Sequence, residues 1–290
     1  MTKTILVVIL LLGAVEEAWT QGTNVSKTGT VAATFLEIPV GAPAVGMGGA
    51  FVSVANDVTS LYWNPAGAAL LPGAEAVAVH TNWIAETKFD FAGIVLPLGE
   101  LGSFGFSITS LSMEDMKVRT VELPEGTGEY FSAGDLAVAL TYARPLSDRF
   151  AIGFTVKYIQ QTIWHESASA FALDVGTSFR TDLIGGLIIG ATLSNFGTAM
   201  QMAGRDTRTV ISVDPTKMGS NSQIPVNVEL NSWALPLLFQ IGVSTTALKT
   251  DDLRWIVAAD ALHPSDNYES VNVGTEVAYK DLLMLRGGYH

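Results

Sequence analysis

From residue 74 to the end, this 290-residue chain is built of segments about ten to fifteen residues long in which large apolar residues alternate with small or polar ones. Phe104, Phe106 and Ile108 interleave with Ser103, Gly105, Ser107 and Thr109, and Ile152, Phe154, Val156 and Tyr158 with Ala151, Gly153, Thr155 and Lys157. Phe239, Ile241 and Val243 alternate with Gln240, Gly242 and Ser244; Val271, Val273, Val277 and Tyr279 alternate with Asn272, Gly274, Glu276 and Lys280. Successive side chains of a strand point to opposite faces. Each segment therefore has one greasy face and one small or polar face. The greasy face must meet either a second sheet or lipid.

Composition decides between the two. Hydrophobic residues make up 48% of the chain and charged residues only 15%, whereas a soluble domain carries roughly a quarter charged residues. Mean hydropathy is +0.34. No internal run reaches the roughly eighteen apolar residues of a membrane helix. A closed barrel is the other structure that satisfies every backbone group in lipid, so the reading is an all-β, transmembrane antiparallel barrel. Twelve strands are expected, at 74–86, 88–98, 101–114, 130–144, 149–164, 168–181, 185–195, 224–234, 237–248, 252–262, 268–280 and 282–290. Short turns are expected at one end and longer loops at the other. Trp83, Tyr142, Trp164, Trp233, Trp255 and Tyr279 sit near strand ends, where an interfacial girdle is expected.

Residues 1–20 read as a cleaved export signal: Lys3 supplies the positive start, Ile5 to Val15 the apolar region, and Ala18-Trp19-Thr20 the cleavage site. Localisation in the bacterial outer membrane follows from signal and barrel together. Residues 21–72 form a small, polar lead-in, expected on the periplasmic side, and then a compact plug. Residues 73–290 form the barrel. Net charge is −12, which excludes nucleic acid as a partner, because phosphates demand a basic patch. With no cysteine in the chain, thiolate metal sites and cysteine catalysis are excluded.

The stretch Gly41 to Leu71, GAPAVGMGGAFVSVANDVTSLYWNPAGAALL, resembles the N-terminal hatch of FadL-type outer-membrane barrels, and among those the PorV/PorQ group associated with type IX secretion. The resemblance implies fourteen strands, of which about twelve are present. The chain ends on Leu285 to His290 inside a strand by this reading, so a C-terminal truncation is expected. It also implies a binding and shuttle component that receives cargo C-terminal domains from a secretion translocon. The alternative is a FadL-like channel for hydrophobic molecules, with a hydrophobic ligand, lipid or detergent in the lumen and the hatch as its gate.

Within the hatch, Gly46, Gly48 and Gly49 suit a tight turn packed on the wall. They do not make a dinucleotide fingerprint, because Phe51 stands where the third glycine belongs. Asn64, Pro65, Ala66 and Gly67 read as a turn that starts a short helix, with Asn64 as its cap and the Pro at the first position; a locking role is expected for it. Lys157, Arg254, Asp260 and Glu276 lie on the small or polar face and are lumen candidates. The irregular stretch Gly197 to Gln223 is expected to be an extracellular loop, with Arg205, Asp206 and Asp214 as partner contacts. His165-Glu166 lacks the second histidine of a zinc motif, and His80, His165, His263 and His290 are scattered. The chain carries neither a nucleophile elbow nor a P-loop, so no enzyme activity, cofactor or metal is expected.

Overall fold

The computed structural model describes residues 27–183, 185–212 and 223–290. The export-signal reading of residues 1–20 and the candidate Asp214 lie outside the described residues. The long strands are β1 (Glu75–Asn82), β2 (Lys88–Pro97), β3 (Ser103–Ser112), then, after the short β4 (Met116–Lys117) and β5 (Tyr130–Phe131), β6 (Ala133–Ser147), β7 (Phe150–Ile163), β8 (Glu166–Arg180) and β9 (Ile188–Gly197). Five short strands follow: β10 (Met200–Gln201), β11 (Ala203–Gly204), β12 (Arg208–Ile211), β13 (Ile224–Asn227) and β14 (Ser232–Trp233). The wall resumes with β15 (Leu238–Lys249), β16 (Leu253–Pro264), β17 (Ser270–Tyr279) and β18 (Leu283–Tyr289).

One antiparallel sheet runs β1-β2-β3-β6-β7-β8-β9-β15-β16-β17-β18, with β11 attached to β8. Sequence neighbours pair along this path wherever a long strand follows a long strand, an up-and-down meander. Exposure alternates residue by residue, as the sequence pattern demands. On β7, Ala151, Thr155 and Ile159 are buried while Phe154 and Val156 face outward at 40% and 54% exposure. Phe104, Leu140, Phe171 and Phe239 continue the outer apolar band on neighbouring strands. That band is what lipid requires of a barrel exterior. Trp83, Trp164 and Trp233 lie at one end of it; Tyr142, Trp255 and Tyr279 lie at the other.

The two ends differ. Connections 98–102, 148–149, 181–187, 250–252 and 280–282 form one end, and 83–87, 113–132, 164–165, 198–237 and 265–269 form the other. By the usual polarity the first end is periplasmic and the long-loop end extracellular. The expected strand 224–234 is not in the wall. Its first part, β13, pairs with β12 in a hairpin, and its last part, β14, pairs with β10. The expected irregular loop 197–223 likewise holds short strands, in which β11 pairs with the start of β8. These pieces are two to four residues long and bond to local neighbours, so they carry too few residues for a face pattern.

The hatch lies inside the wall. It contains two short α-helices, α1 (Ala42–Gly46) and α2 (Ser60–Trp63), and a 3-10 helix Pro65–Leu70. Leu61 packs toward Gly93 of β2 and Gly105 of β3, Pro65 toward β7 and β8, Val52 toward β9 and β15, and Met47 toward β17 and β18. One segment can touch strands from β2 to β18 only if the sheet curls around it. Phe35, Met47, Val52 and Leu61 of the N-terminal region are fully buried, as are Phe89 and Ile159 of the wall. Each such side chain contributes about 1.5–3 kcal/mol.

The lead-in sits at the long-loop end, not on the periplasmic side where its composition placed it. Val31 bridges Ala234, Ala32 N–H donates to the Ala234 carbonyl at 2.8 Å, and Ala33 N–H donates to Gln161 Oε1 at 2.9 Å. A small, polar composition sets no direction; these backbone contacts do. The hatch therefore descends from the long-loop end to the short-turn end, where β1 begins.

The wall accepts the hatch through glycines at one level. A Cβ on Gly153 would lie 2.3 Å from the Pro65 carbonyl carbon, one on Gly190 2.5 Å from the Val52 oxygen, and one on Gly288 2.1 Å from the Met47 carbonyl carbon. The belt is paired across strands: Gly153 faces Gly176, Gly190 faces Gly242 and Gly274 faces Gly288. Gly153→Val should lower the unfolding temperature of the detergent-solubilised barrel, read as loss of the heat-dependent gel shift. Overpacking against backbone costs about 1–3 kcal/mol or more. Gly73→Ala, which meets nothing within 4 Å, should leave that temperature unchanged.

Candidate functional site

The hatch is tied to the wall at Asn64. Pro65 fixes the first position of the 3-10 helix, and Asn64, extended at φ −160°, caps it with its side chain, accepting from Ala66 N–H at 3.1 Å. The amide of Asn64 donates to the Val52 carbonyl at 2.8 Å and to the Thr177 carbonyl of β8 at 3.0 Å. A single side chain, 1% exposed, therefore joins the turn, the middle of the hatch and the wall. Ala66 is fully buried. Gly67 leaves room for the Ala55 carbonyl, which a Cβ would approach to 2.3 Å.

A second anchor is Asp260. This carboxylate of β16 is completely buried, and its Oδ2 accepts from Phe51 N–H at 2.8 Å and Val52 N–H at 2.9 Å. Two hatch amides inside the barrel thereby gain partners that no neighbouring strand supplies. The third anchor is the turn at Gly46 to Gly49. Gly48 and Gly49 have φ of +64° and +79°, a region that glycine enters without penalty. A Cβ on Gly48 would also stand 2.7 Å from Tyr289 N, so the turn lies directly on β18.

The other lumen candidates are paired. Lys157 Nζ lies 2.6 Å from Asp174 Oδ2 and donates to Asn195 Oδ1 at 2.8 Å. Asn195 N–H donates in turn to Asp174 Oδ1 at 2.8 Å, and its amide donates to the Pro236 carbonyl. Glu276 accepts from Arg286 Nε at 2.8 Å and lies 3.7 Å from Arg254, which also reaches Asp281 at 3.1 Å. The partners Asp174, Asn195 and Arg286 were not singled out in the sequence. Only the strand register shows that they share a face and a height with the candidates. The belt glycines could have been found, because glycine inside a strand marks close backbone approach.

A cavity of about 620 Å³ opens at the long-loop end. Leu36, Glu37 and Pro39 of the lead-in, Trp63 of α2, Gln240 of β15 and Asn272 of β17 are among its walls. Glu37 lines this cavity, and the surrounding protein weakens its solvation. Asp266 adds a like charge and shares a hydrogen bond with it, and together these push the Glu37 carboxyl up to about 7. Tyr62, held by its hydroxyl to the Leu36 carbonyl at 3.0 Å, is raised well above the usual phenol range by burial, then by Glu37 and Asp174.

Above the cavity the loops form a built surface. Asp206 Oδ2 contacts His165 Nδ1 at 2.7 Å, and Arg205 Nη2 contacts His165 Nε2 at 2.6 Å. Asp206 N–H donates to Glu166 Oε1 at 2.8 Å. The partner candidates Arg205 and Asp206 are thus clamped to the β7–β8 turn and carry the β12–β13 hairpin. Among the described residues, no group of three His, Asp or Glu side chains is arranged to hold a metal ion.

A family model described as "Type IX secretion system protein PorV" matches residues 21–231. The chain is also similar to the solved structure of the Pseudomonas putida toluene transporter TodX, at 12% identity and a TM-score of 0.49, covering 86% of this chain and 82% of that one. A FadL homologue from Pseudomonas aeruginosa is similar at 11% identity and a TM-score of 0.48, covering 87% and 79%. No curated protein matches.

Asn64→Leu removes the donors to Val52 and Thr177 and should cost roughly 1–3 kcal/mol per orphaned carbonyl. Chymotrypsin should then cut the folded variant after Tyr62 or Trp63, while the parent resists. Glu37 yields a pH test. Its carboxyl is raised above its ordinary value when docked, so the contribution is fully present below that ordinary value and is lost as pH rises through about 7. A nitroxide at Thr34 should become more mobile as pH rises from 4.5 to about 7, and Glu37→Gln should remove that dependence.

Proposed function

Because this chain belongs to the PorV family of type IX secretion system proteins, we propose that it is an outer-membrane binding platform that receives secreted cargo at its extracellular mouth. It is exported with a cleaved signal and works without chemistry of its own. The observation that carries this reading is the contrast between a plug anchored at several strands and an elaborated mouth. The hatch is held by Asn64, Asp260 and the glycine belt. The mouth bears the β4–β5 and β12–β13 hairpins and the clamp around His165. Loops placed on a rigid scaffold are where binding residues concentrate. A secretion translocon and the C-terminal domains of its cargo are the partners this surface would meet.

One observation favours a second reading, a channel for hydrophobic molecules. The cavity beneath the mouth has the size of a small-ligand site. The two readings separate cleanly. Replacing 210–225 by Asn-Gly, so that Thr209 and Val226 (register partners in β12 and β13) are joined by a hairpin turn, should abolish capture of a cargo C-terminal domain and leave the heat-shift of the barrel intact. Asn64→Ala with Pro65→Ala should leave uptake of hydrophobic compounds unchanged. Intact capture with altered uptake would give the channel reading the field.

A further inference from the structure

The connection 113–132 is a second prong on the same face, and its tip is prepared for contact. Val118 N–H donates to the Glu129 carbonyl at 2.9 Å, Thr127 N–H to the Val118 carbonyl at 2.8 Å, and Gly126 N–H to the Leu123 carbonyl at 3.0 Å. Leu123 N–H donates to Thr120 Oγ1 at 3.1 Å. The tip is therefore tied to itself. On it Val121 is 100% exposed and Leu123 53% exposed. An apolar anchor already held in place loses little conformational freedom on docking.

The charges around the anchor select its partner. Between 113 and 132 stand Glu114, Asp115, Glu122, Glu125 and Glu129, against Lys117 and Arg119. Glu114 is engaged with Lys88 of β2 at 2.9 Å. Glu122 and Glu125 flank Val121 and Leu123 and are exposed. An anionic lipid headgroup would be repelled by this local excess of negative charge. So would the same acidic prong on a second copy of a chain with net charge −12.

We propose that Val121 and Leu123 insert into an apolar pocket on a protein partner whose pocket rim is basic, with Glu122 and Glu125 reading that rim. The inference rests on the binding-platform reading above and adds to it a second contact point and the chemistry of the partner. Complementary rim charges speed encounter and reject wrong partners, while a buried apolar anchor supplies the holding energy.

The test places a photo-crosslinking phenylalanine analogue at 121, and separately at 210, in the full-length protein in living cells. The expected result at 121 is a protein adduct whose crosslinked peptide is apolar and net basic. Glu122→Lys with Glu125→Lys should cut its yield roughly tenfold. Both residues are exposed, so the heat-shift should be unaffected. Absence of an adduct at 121, an adduct to lipid or to a second copy, or a protein adduct unmoved by charge reversal would each overturn the proposal. Cargo adducts at 210 with none at 121 would defeat this inference and spare the platform reading. A charge-sensitive basic adduct at 121 from a protein outside secretion would do the reverse.

Discussion

Everything inside this barrel depends on how a stretch of irregular backbone is satisfied where water is scarce. The wall strands bond to one another and have no amides to spare for a plug. The hatch solves this with its own short helices and with wall-directed contacts, among them Asn64 to the Thr177 carbonyl, Asp260 to the amides of Phe51 and Val52, and Ser244 to the Ser53 carbonyl. Each works only at hydrogen-bond distance. The plug must therefore lie against the wall backbone, and the glycines at 153, 176, 190, 242, 274 and 288 permit that approach. The polar anchors and the absence of side chains opposite them are two halves of one arrangement.

The same geometry explains the buried charges. A carboxylate or ammonium in a low-dielectric lumen is costly unless paired and hydrogen-bonded. Lys157 has Asp174 and Asn195 about it, and Glu276 has Arg286. The Lys157 and Asp174 strands are register neighbours, with Lys157 opposite Ala172. The pair thus bridges adjacent strands on the lumenal face, next to the cavity that the lead-in helps to enclose. The outer apolar band, the paired lumen and the plug are consequences of one chain alternating its two faces.

That alternation was legible from residues alone, because a lipid exterior and a crowded lumen impose opposite demands on neighbouring positions. The wall strands were readable for this reason from periodicity, and the capped turn at Asn64-Pro65 from turn chemistry. The seat of the plug was not, since Asp260 meets Phe51 across 209 residues and nothing local announces such a pairing. Val226, Val228 and Trp233 look like a strand and do sit in or beside strands, but their partners are nearby short segments rather than the wall. The lead-in misled because small polar residues fit either mouth equally well.

The contact between Gly48 and the β18 backbone has a consequence for the order of assembly. The turn at Gly48 is made near the start of the chain, while Gly288 and Tyr289, on which it lies, are made near its end. Asp260, which receives the amides of Phe51 and Val52, also comes late. Contacts of such sequence separation form slowly, because the intervening chain must be ordered before they reward it. The plug must wait through insertion of strand after strand before its seat exists. Until then its apolar residues need shelter elsewhere, so the hatch cannot be fully seated before β16 and β18 are in place.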